Sequence, residues 1–232
     1  MQLKVPTVLL ALLVVTAAFG TAQAPDRLLL DGKFYRLNTN PLDSYFEDHP
    51  DLHPREADDG DRVVLSTALW RGYIATFEVV GNVLRIQDFE VSRWIEDENE
   101  ELLFEDELVS EIERFFPTSE SRLMDWYTGI MVLPTGELKQ YVHLSYASVF
   151  ESYVLLRVED GKVTDSAKLT GEEFVRFKRK QFAVFRESDE YLRVLDELRD
   201  DGDDEYFLES FVFDLGEFVE HVMLNFDEAK DE

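Results

Sequence analysis

The residues best placed to do chemistry in this 232-residue chain are aromatic rings set beside an arginine. Trp70-Arg71-Gly72-Tyr73 forms one group, and Trp94 and Asp125-Trp126-Tyr127 lie elsewhere in the same β-rich half. Such rings with a guanidinium make sites for a carbohydrate, a peptide or a carboxylate. The same residues also serve as core rings with an arginine stem stacked at a sheet edge. His143 stands two residues before Ser145, which on a strand puts both on one face. No Gly-x-Ser-x-Gly elbow accompanies them, so a serine hydrolase is not indicated, and a hydrogen-bonded histidine on a sheet is the structural alternative. The candidate binding residues are therefore Trp70, Arg71, Tyr73, Trp126, Tyr127 and His143, and no residue is nominated as catalytic.

Metal chemistry has less support. His49 and His53 are four apart, which on a helix would suit two ligands, but Pro50 and Pro54 interrupt any helix there. Asp58-Asp59-Gly60-Asp61 and Asp200-Asp201-Gly202-Asp203-Asp204 look like calcium loops. An EF-hand needs oxygen ligands at alternating positions and a glutamate six residues after its glycine. In the second segment Arg199 takes a ligand place and Leu208 replaces the glutamate, so both segments read as solvated turns. The chain has no cysteine, which removes thiolate metal sites, disulfides and a lipid-bearing cysteine. No metal and no cofactor is expected. Carboxylates are so numerous that no pair stands out as acid and base.

The chain carries 23 Lys+Arg against 50 Asp+Glu, a net charge of -27. Such a field repels nucleic acid and anionic lipid and favours basic partners, cations or a salty medium. Arginines outnumber lysines, a bias similar to that of halophilic proteins, in which salt screens carboxylate repulsion. Arg176, Lys178, Arg179 and Lys180 form a lone basic run, which reads either as pairing with the protein's own acidic helices or as a partner contact. With 45% hydrophobic and 13% aromatic residues, the chain is expected to fold despite its charge.

Residues 1–24 read as a cleavable export signal: a basic start at Lys4, an apolar run over 5–19, and small residues from Gly20 to Ala24. Cleavage after Ala22 avoids leaving Pro25 first; cleavage after Ala24 is the alternative. The apolar run is shorter than the ~20 residues a spanning helix needs, so no membrane span is expected after its removal. The protein is expected to be periplasmic or extracellular.

The elements that must position the candidates follow from pattern. Asp31-Gly32 predicts a tight hairpin between 28–30 and 33–36. Residues 38–62 read as a long loop with one helical turn at 41–47. A strand is expected over 67–79, a return strand over 83–91, a solvated acidic run over 96–101, and a helix over 104–116 stopped by Pro117. Hairpins are expected around Pro134-Thr135-Gly136 and Glu159-Asp160-Gly161. Thr170 with Glu173 predicts a capping box, and Ser188 the cap of a second helix. A final helix is expected over 205–226, with Phe207, Phe211, Leu215, Phe218 and Val222 as its stripe. The fold class is α+β: an antiparallel β-meander or sheet, with a C-terminal helical layer packed on one face, in a single domain over 25–226 followed by an acidic tail at 227–232.

The segment from Ser66 through Trp70-Arg71-Gly72-Tyr73 to Glu78 resembles a stretch in a family of uncharacterised bacterial proteins. The similarity continues at Asn40-Pro41-Leu42, Tyr45-Phe46, Asp125 to Gly129, Tyr141-Val142-His143 and Lys180-Gln181-Phe182. It implies a shared fold over most of the chain and carries no activity or site residue with it. Taken together, the sequence predicts an exported acidic binding or interaction protein without catalytic activity, its aromatic sheet face the contact surface. The alternatives are an inhibitor or immunity-type protein that binds a basic partner, and a cell-envelope hydrolase. Nothing in the chain sets an oligomeric state.

Overall fold

The computed structural model describes residues 21–55, 66–96, 102–199 and 205–229. Asp31 and Gly32 both have positive φ (50° and 75°), as a type I′ turn requires, and they join β1 (Asp26–Leu30) to β2 (Lys33–Leu37). α1 (Asp43–Asp48) follows. Then come β3 (Tyr73–Val80), β4 (Val83–Glu96), β5 (Leu102–Ser110) and the one-turn α2 (Ile112–Phe115). β6 (Gly129–Gln140), β7 (Val149–Glu159) and β8 (Lys162–Thr170) complete the strands. The α-helices that follow are α3 (Gly171–Phe185), α4 (Asp189–Leu198), α5 (Glu205–Leu215) and α6 (Phe218–His221).

The fold is α+β, with one mixed, mostly antiparallel sheet among the described residues. Its strand order is β2-β1-β3-β4-β8-β7-β6, with β5 paired to β4 and only β1–β3 parallel. The Asn38 N–H donates to the Val132 carbonyl at 2.8 Å, so the two ends of that order approach each other and the sheet curls. The β4–β8 join is narrow, a single register pair at Val83↔Lys162.

Curling gives β6 and β7 two buried faces. Met131, Leu133, Leu156 and Val158 join Leu28, Tyr73, Phe77, Phe89 and Tyr127 in one cluster. Their neighbours in the alternation, Ile130, Val132, Tyr153 and Leu155, join Phe177, Phe182, Leu195, Val212 and Phe218 in another. A strand with two apolar neighbourhoods reads as a continuous hydrophobic run, and Gly129 to Pro134 is buried throughout.

Several expected elements have different bounds. The strand expected from 67 begins only at Tyr73, because Ser66–Gly72 is wound into turns: the Leu69 N–H bonds to the Ser66 carbonyl and the Gly72 N–H to that of Leu69. From Tyr73 on it is a strand, with the alternate residues Tyr73, Ala75 and Phe77 in the core. The helix expected over 104–116 is mostly β5. Its backbone pairs with β4 from Glu90↔Ser110 to Trp94↔Asp106, and the hydrogen bonding offered by a strand edge outweighs a helical spacing of only a few apolar residues.

Pro134-Thr135-Gly136 is not a hairpin turn. β6 runs through it with register slips between Thr135 and Leu138, and a terminal strand tolerates a proline that cannot donate. The stretch 141–148 is a loop, so Ser145 and His143 do not share a strand face. The final helix breaks at Gly216, whose φ of +74° a right-handed helix excludes. A Cβ there would also lie 2.9 Å from the Lys178 ammonium. Residues 226–229 form a 3-10 turn with Phe226 and Ala229 buried, so the segment expected as a tail starts inside the packed structure. The capping box of α3 and the Ser188 cap of α4 form as expected. The run after Glu96 and both aspartate-glycine segments (58–61 and 200–204) lie outside the described residues. No described helix is long and apolar enough to cross a membrane.

Candidate functional site

A polar network threads the protein where the first strand, the loop before α1, the 141–148 loop and α6 converge. Asp26, fully buried, accepts from the Ala75 N–H at 2.8 Å and from Arg71 Nη1 at 2.8 Å. Arg71 Nη2 donates to the Ala24 carbonyl at 3.1 Å and to Tyr146 Oη at 3.4 Å, and the guanidinium lies 4.9 Å from the centre of the Tyr73 ring. Burial opposes the guanidinium's charge, but Asp26 and the surrounding oxygens outweigh it and raise its pKa, so Arg71 stays a cation.

Tyr146 in turn donates to Asn40 Oδ1 at 2.9 Å. The Asn40 N–H donates to Glu220 Oε2 at 2.9 Å, and the Tyr127 phenol donates to Glu220 Oε1 at 2.7 Å. Gly129 makes room for this junction: a Cβ there would lie 2.8 Å from the Tyr127 oxygen and 3.1 Å from the Glu220 carbonyl.

Beside the network lies a cleft of about 50 Å³. Its walls are 38–40 and α1 on one side and Leu215 to His221 on the other, with Tyr146 also lining it. Asp43, Glu47, Glu217 and Glu220 all line it, and no lysine or arginine among the described residues does. Burial pushes the Glu220 carboxyl up to about 8, against the lowering effect of its bonds from Tyr127 and Asn40. Burial, with Asp43 nearby, raises Glu217 to about 7. Asp43, at the rim, accepts from the Tyr73 phenol at 3.2 Å, and lost hydration raises it to about 6 while Arg71 pulls it down. Asp43 is exposed as a residue, so water on its open side screens much of that push. Burial lowers His221 to about 4, so this ring adds no positive charge at neutral pH. The Thr39 hydroxyl, on a cleft residue only 5% exposed, has no hydrogen-bond partner among the described residues.

The sequence candidates divide between this network and the surface. Arg71, Tyr73 and Tyr127 are network members, and the two tyrosines are buried, so their rings offer no contact surface. Trp126, 36% exposed, leans on Tyr45 with ring centres 5.2 Å apart. Trp70 carries the Arg55 guanidinium 4.5 Å above its ring. His143 is exposed and pairs through Nδ1 with the Tyr141 hydroxyl at 2.7 Å. The Trp94 side chain lies outside the described ones. Among the described residues no hydrogen bond or ring contact joins Trp70, Trp126 and His143 to one another.

His49 packs on Tyr45, while His53 packs between Phe46 and Tyr73 and is lowered to about 4 by burial. They do not form a ligand pair, and no group of three or more metal-ligating side chains occurs among the described residues. In the basic run, Lys178 lies over Phe213 and reaches the Asp214 carbonyl, and Lys180 donates to the Glu228 carbonyl at 2.7 Å.

Asp26, Asn40, Asp43, Tyr146, Glu217 and Glu220 were not singled out by the sequence. Among 50 acidic residues nothing in the sequence marks out Asp26, Asp43 and Glu217. Glu220 alone carries a local hint, since it lies among apolar neighbours Phe218, Val219, Val222 and Met223.

No family model matches the chain, and no curated protein or solved structure matches it.

Proposed function

We propose that this is an exported binding protein without catalytic activity, and that its acidic cleft holds a basic protein partner. The observation that carries this reading is the cleft itself: among the described residues four carboxyl-bearing side chains line it and no lysine or arginine does. The aromatic face expected as the contact surface is displaced in favour of this cleft, because Tyr73 and Tyr127 are buried. The exposed ring of Trp126 belongs to the surrounding rim. Helices α3–α6 are read as a layer over one face of the β6–β8 region, holding Glu217 and Glu220 against the loop that carries Asp43. The inhibitor or immunity-type function is the specific form this reading favours, since charge complementarity speeds association with a basic target.

A hydrolase is the second reading. A carboxyl held near 8 beside another near 6 is the pattern of a general acid with its partner. Two facts weigh against it. The cleft, at about 50 Å³, is far below the ~300–1,000 Å³ of typical small-molecule sites. Both Glu220 oxygens are also already engaged as acceptors.

The test is affinity capture from an extract of the cell envelope, at low and high salt, with the wild type and the Asp43→Asn/Glu217→Gln double variant. The double variant removes at most two of 27 net negative charges, so non-specific attraction stays nearly the same. A basic protein held by the wild type at low salt, released at high salt and lost by the variant supports the reading. Equal capture by both proteins, or none by either, overturns it.

A further inference from the structure

The residues that lead into β1 are tied to the fold before the strand starts. The Ala24 N–H donates to the Ala68 carbonyl at 2.7 Å, and the Gln23 N–H to the Ser145 carbonyl at 3.3 Å. The Gln23 side-chain amide donates to the Thr67 carbonyl at 2.8 Å. Arg71 Nη2 donates to the Ala24 carbonyl at 3.1 Å. Gln23 and Ala24 are thus held from two sides, by the 66–72 turns and by the 141–148 loop. Further back the ties are fewer. Ala22 forms an isolated bridge with Ser145. The Thr21 carbonyl accepts from the Ser145 N–H at 3.2 Å and from the Gln23 side chain at 3.4 Å.

Two bonds in this stretch meet the small-residue rule of an export peptidase. Gly20 and Ala22 precede one, and Ala22 and Ala24 precede the other. The peptidase acts on an unfolded chain, so it reads those residues alone. The fold shows which product is complete. Cleavage after Ala24 takes an acceptor from Arg71, whose side chain is only 11% exposed and which pairs with the fully buried Asp26. A nearly buried N–H that loses its acceptor is destabilising. The same cut also removes the Ala24 N–H and both donors of Gln23 from their carbonyls. Cleavage after Ala22 removes only the Ala22 bridge and the two bonds to the Thr21 carbonyl. The Gln23 nitrogen becomes an ammonium and still has a proton to give the Ser145 carbonyl.

We propose that the Ala22–Gln23 bond is the processing site of the exported chain, and that Gln23 and Ala24 begin the mature protein as a docked strap that completes the acceptors of Arg71. Water adds across that peptide bond, leaving a carboxylate on Ala22 and an amine on Gln23. This rests on the export part of the reading above.

The experiment expresses the full chain in an exporting bacterium and identifies its N-terminal peptide, in the envelope and secreted fractions, by mass spectrometry. A peptide that begins at Gln23, as free or cyclised glutamine, is expected. Ala22→Leu, which puts a large residue at the cut, is expected to reduce that product roughly tenfold or more, and Ala24→Leu to leave it in place. Both variants are read at the cleavage step, before folding matters. Hydrogen exchange on the purified processed protein reads the docking. The Ala24 amide is expected to exchange roughly tenfold or more slowly than in an unfolded chain. Gln23→Ala is expected to lower the urea midpoint without moving the cut. A product that begins at Pro25, or one that Ala24→Leu blocks and Ala22→Leu does not, overturns the proposal and leaves export standing. A cut before Gln23 with a freely exchanging Ala24 amide overturns the docked strap. A chain recovered only with its first residues intact overturns the export reading and the processing site with it.

Discussion

Replacing Glu220 by glutamine probes the centre of the network. Glu220 is 6% exposed and its carboxyl is held at about 8, against an ordinary 4.5. Below the ordinary value the group is protonated in both folded and unfolded chains and makes no difference to stability. As pH rises from there, the unfolded chain releases the proton and the folded chain keeps it, so stability falls until pH passes the folded value. At about 1.4 kcal/mol per pH unit, a shift of this size corresponds to at most about 5 kcal/mol, reached near pH 8. Relaxation and water entry reduce that figure in practice. Glutamine keeps the shape and one acceptor oxygen but does not titrate. The variant should therefore lose less stability between about pH 5 and about pH 8 than the wild type, and be the more stable of the two at the upper end. Urea midpoints at both pH values, at high salt to screen surface carboxylates, measure this. Parallel curves for the two proteins, or a variant that is less stable by the same amount at both values, would mean that Glu220 is an anion in the fold, stabilised by Tyr127 and the Asn40 N–H.

Three further outcomes follow from the same geometry. Arg71→Met should cost about 3–5 kcal/mol in urea unfolding, because it leaves the buried Asp26 carboxyl without its partner; a cost below about 1 kcal/mol would show that the Arg71–Asp26 pair contributes no more than a surface ion pair. Gly216→Ala should lower stability by about 1–2 kcal/mol, since the residue has φ of +74° and its Cβ would meet Lys178, and thermal unfolding reads it. Thr170→Ala should cost about 1 kcal/mol by removing the α3 capping box, with helix content and urea midpoint as the measures.

The parts of the fold legible in the sequence are those set by neighbouring residues. Asp31-Gly32, Glu159-Asp160-Gly161, the Thr170–Glu173 box and Ser188 each act over a few residues, and each forms where expected. The misread parts depend on partners far along the chain. Leu108 and Ile112 keep helical spacing, yet β4 supplies a strand edge to the segment before Ser110. Pro134-Thr135-Gly136 has turn composition, yet β7 holds β6 in one piece across it. The site behaves in the same way. Arg71 and Tyr73 stood out because a cation among rings is unusual. Asp26, 45 residues before Arg71, and Glu220, 93 residues after Tyr127, are tied to them only by the fold. Carboxylates are common in this chain and buried ones are few, and burial does not show in the residue type.

The central claim, that the cleft recognises a basic partner, is tested most directly by the affinity of the full chain for a lysine-rich peptide. Calorimetry would compare the wild type with the Asp43→Asn/Glu217→Gln variant across a salt series. Binding should weaken steeply with salt, with an affinity at least tenfold lower in the variant at every salt concentration. If the two proteins bind equally, attraction comes from the overall charge of -27 alone, and the cleft is not the site.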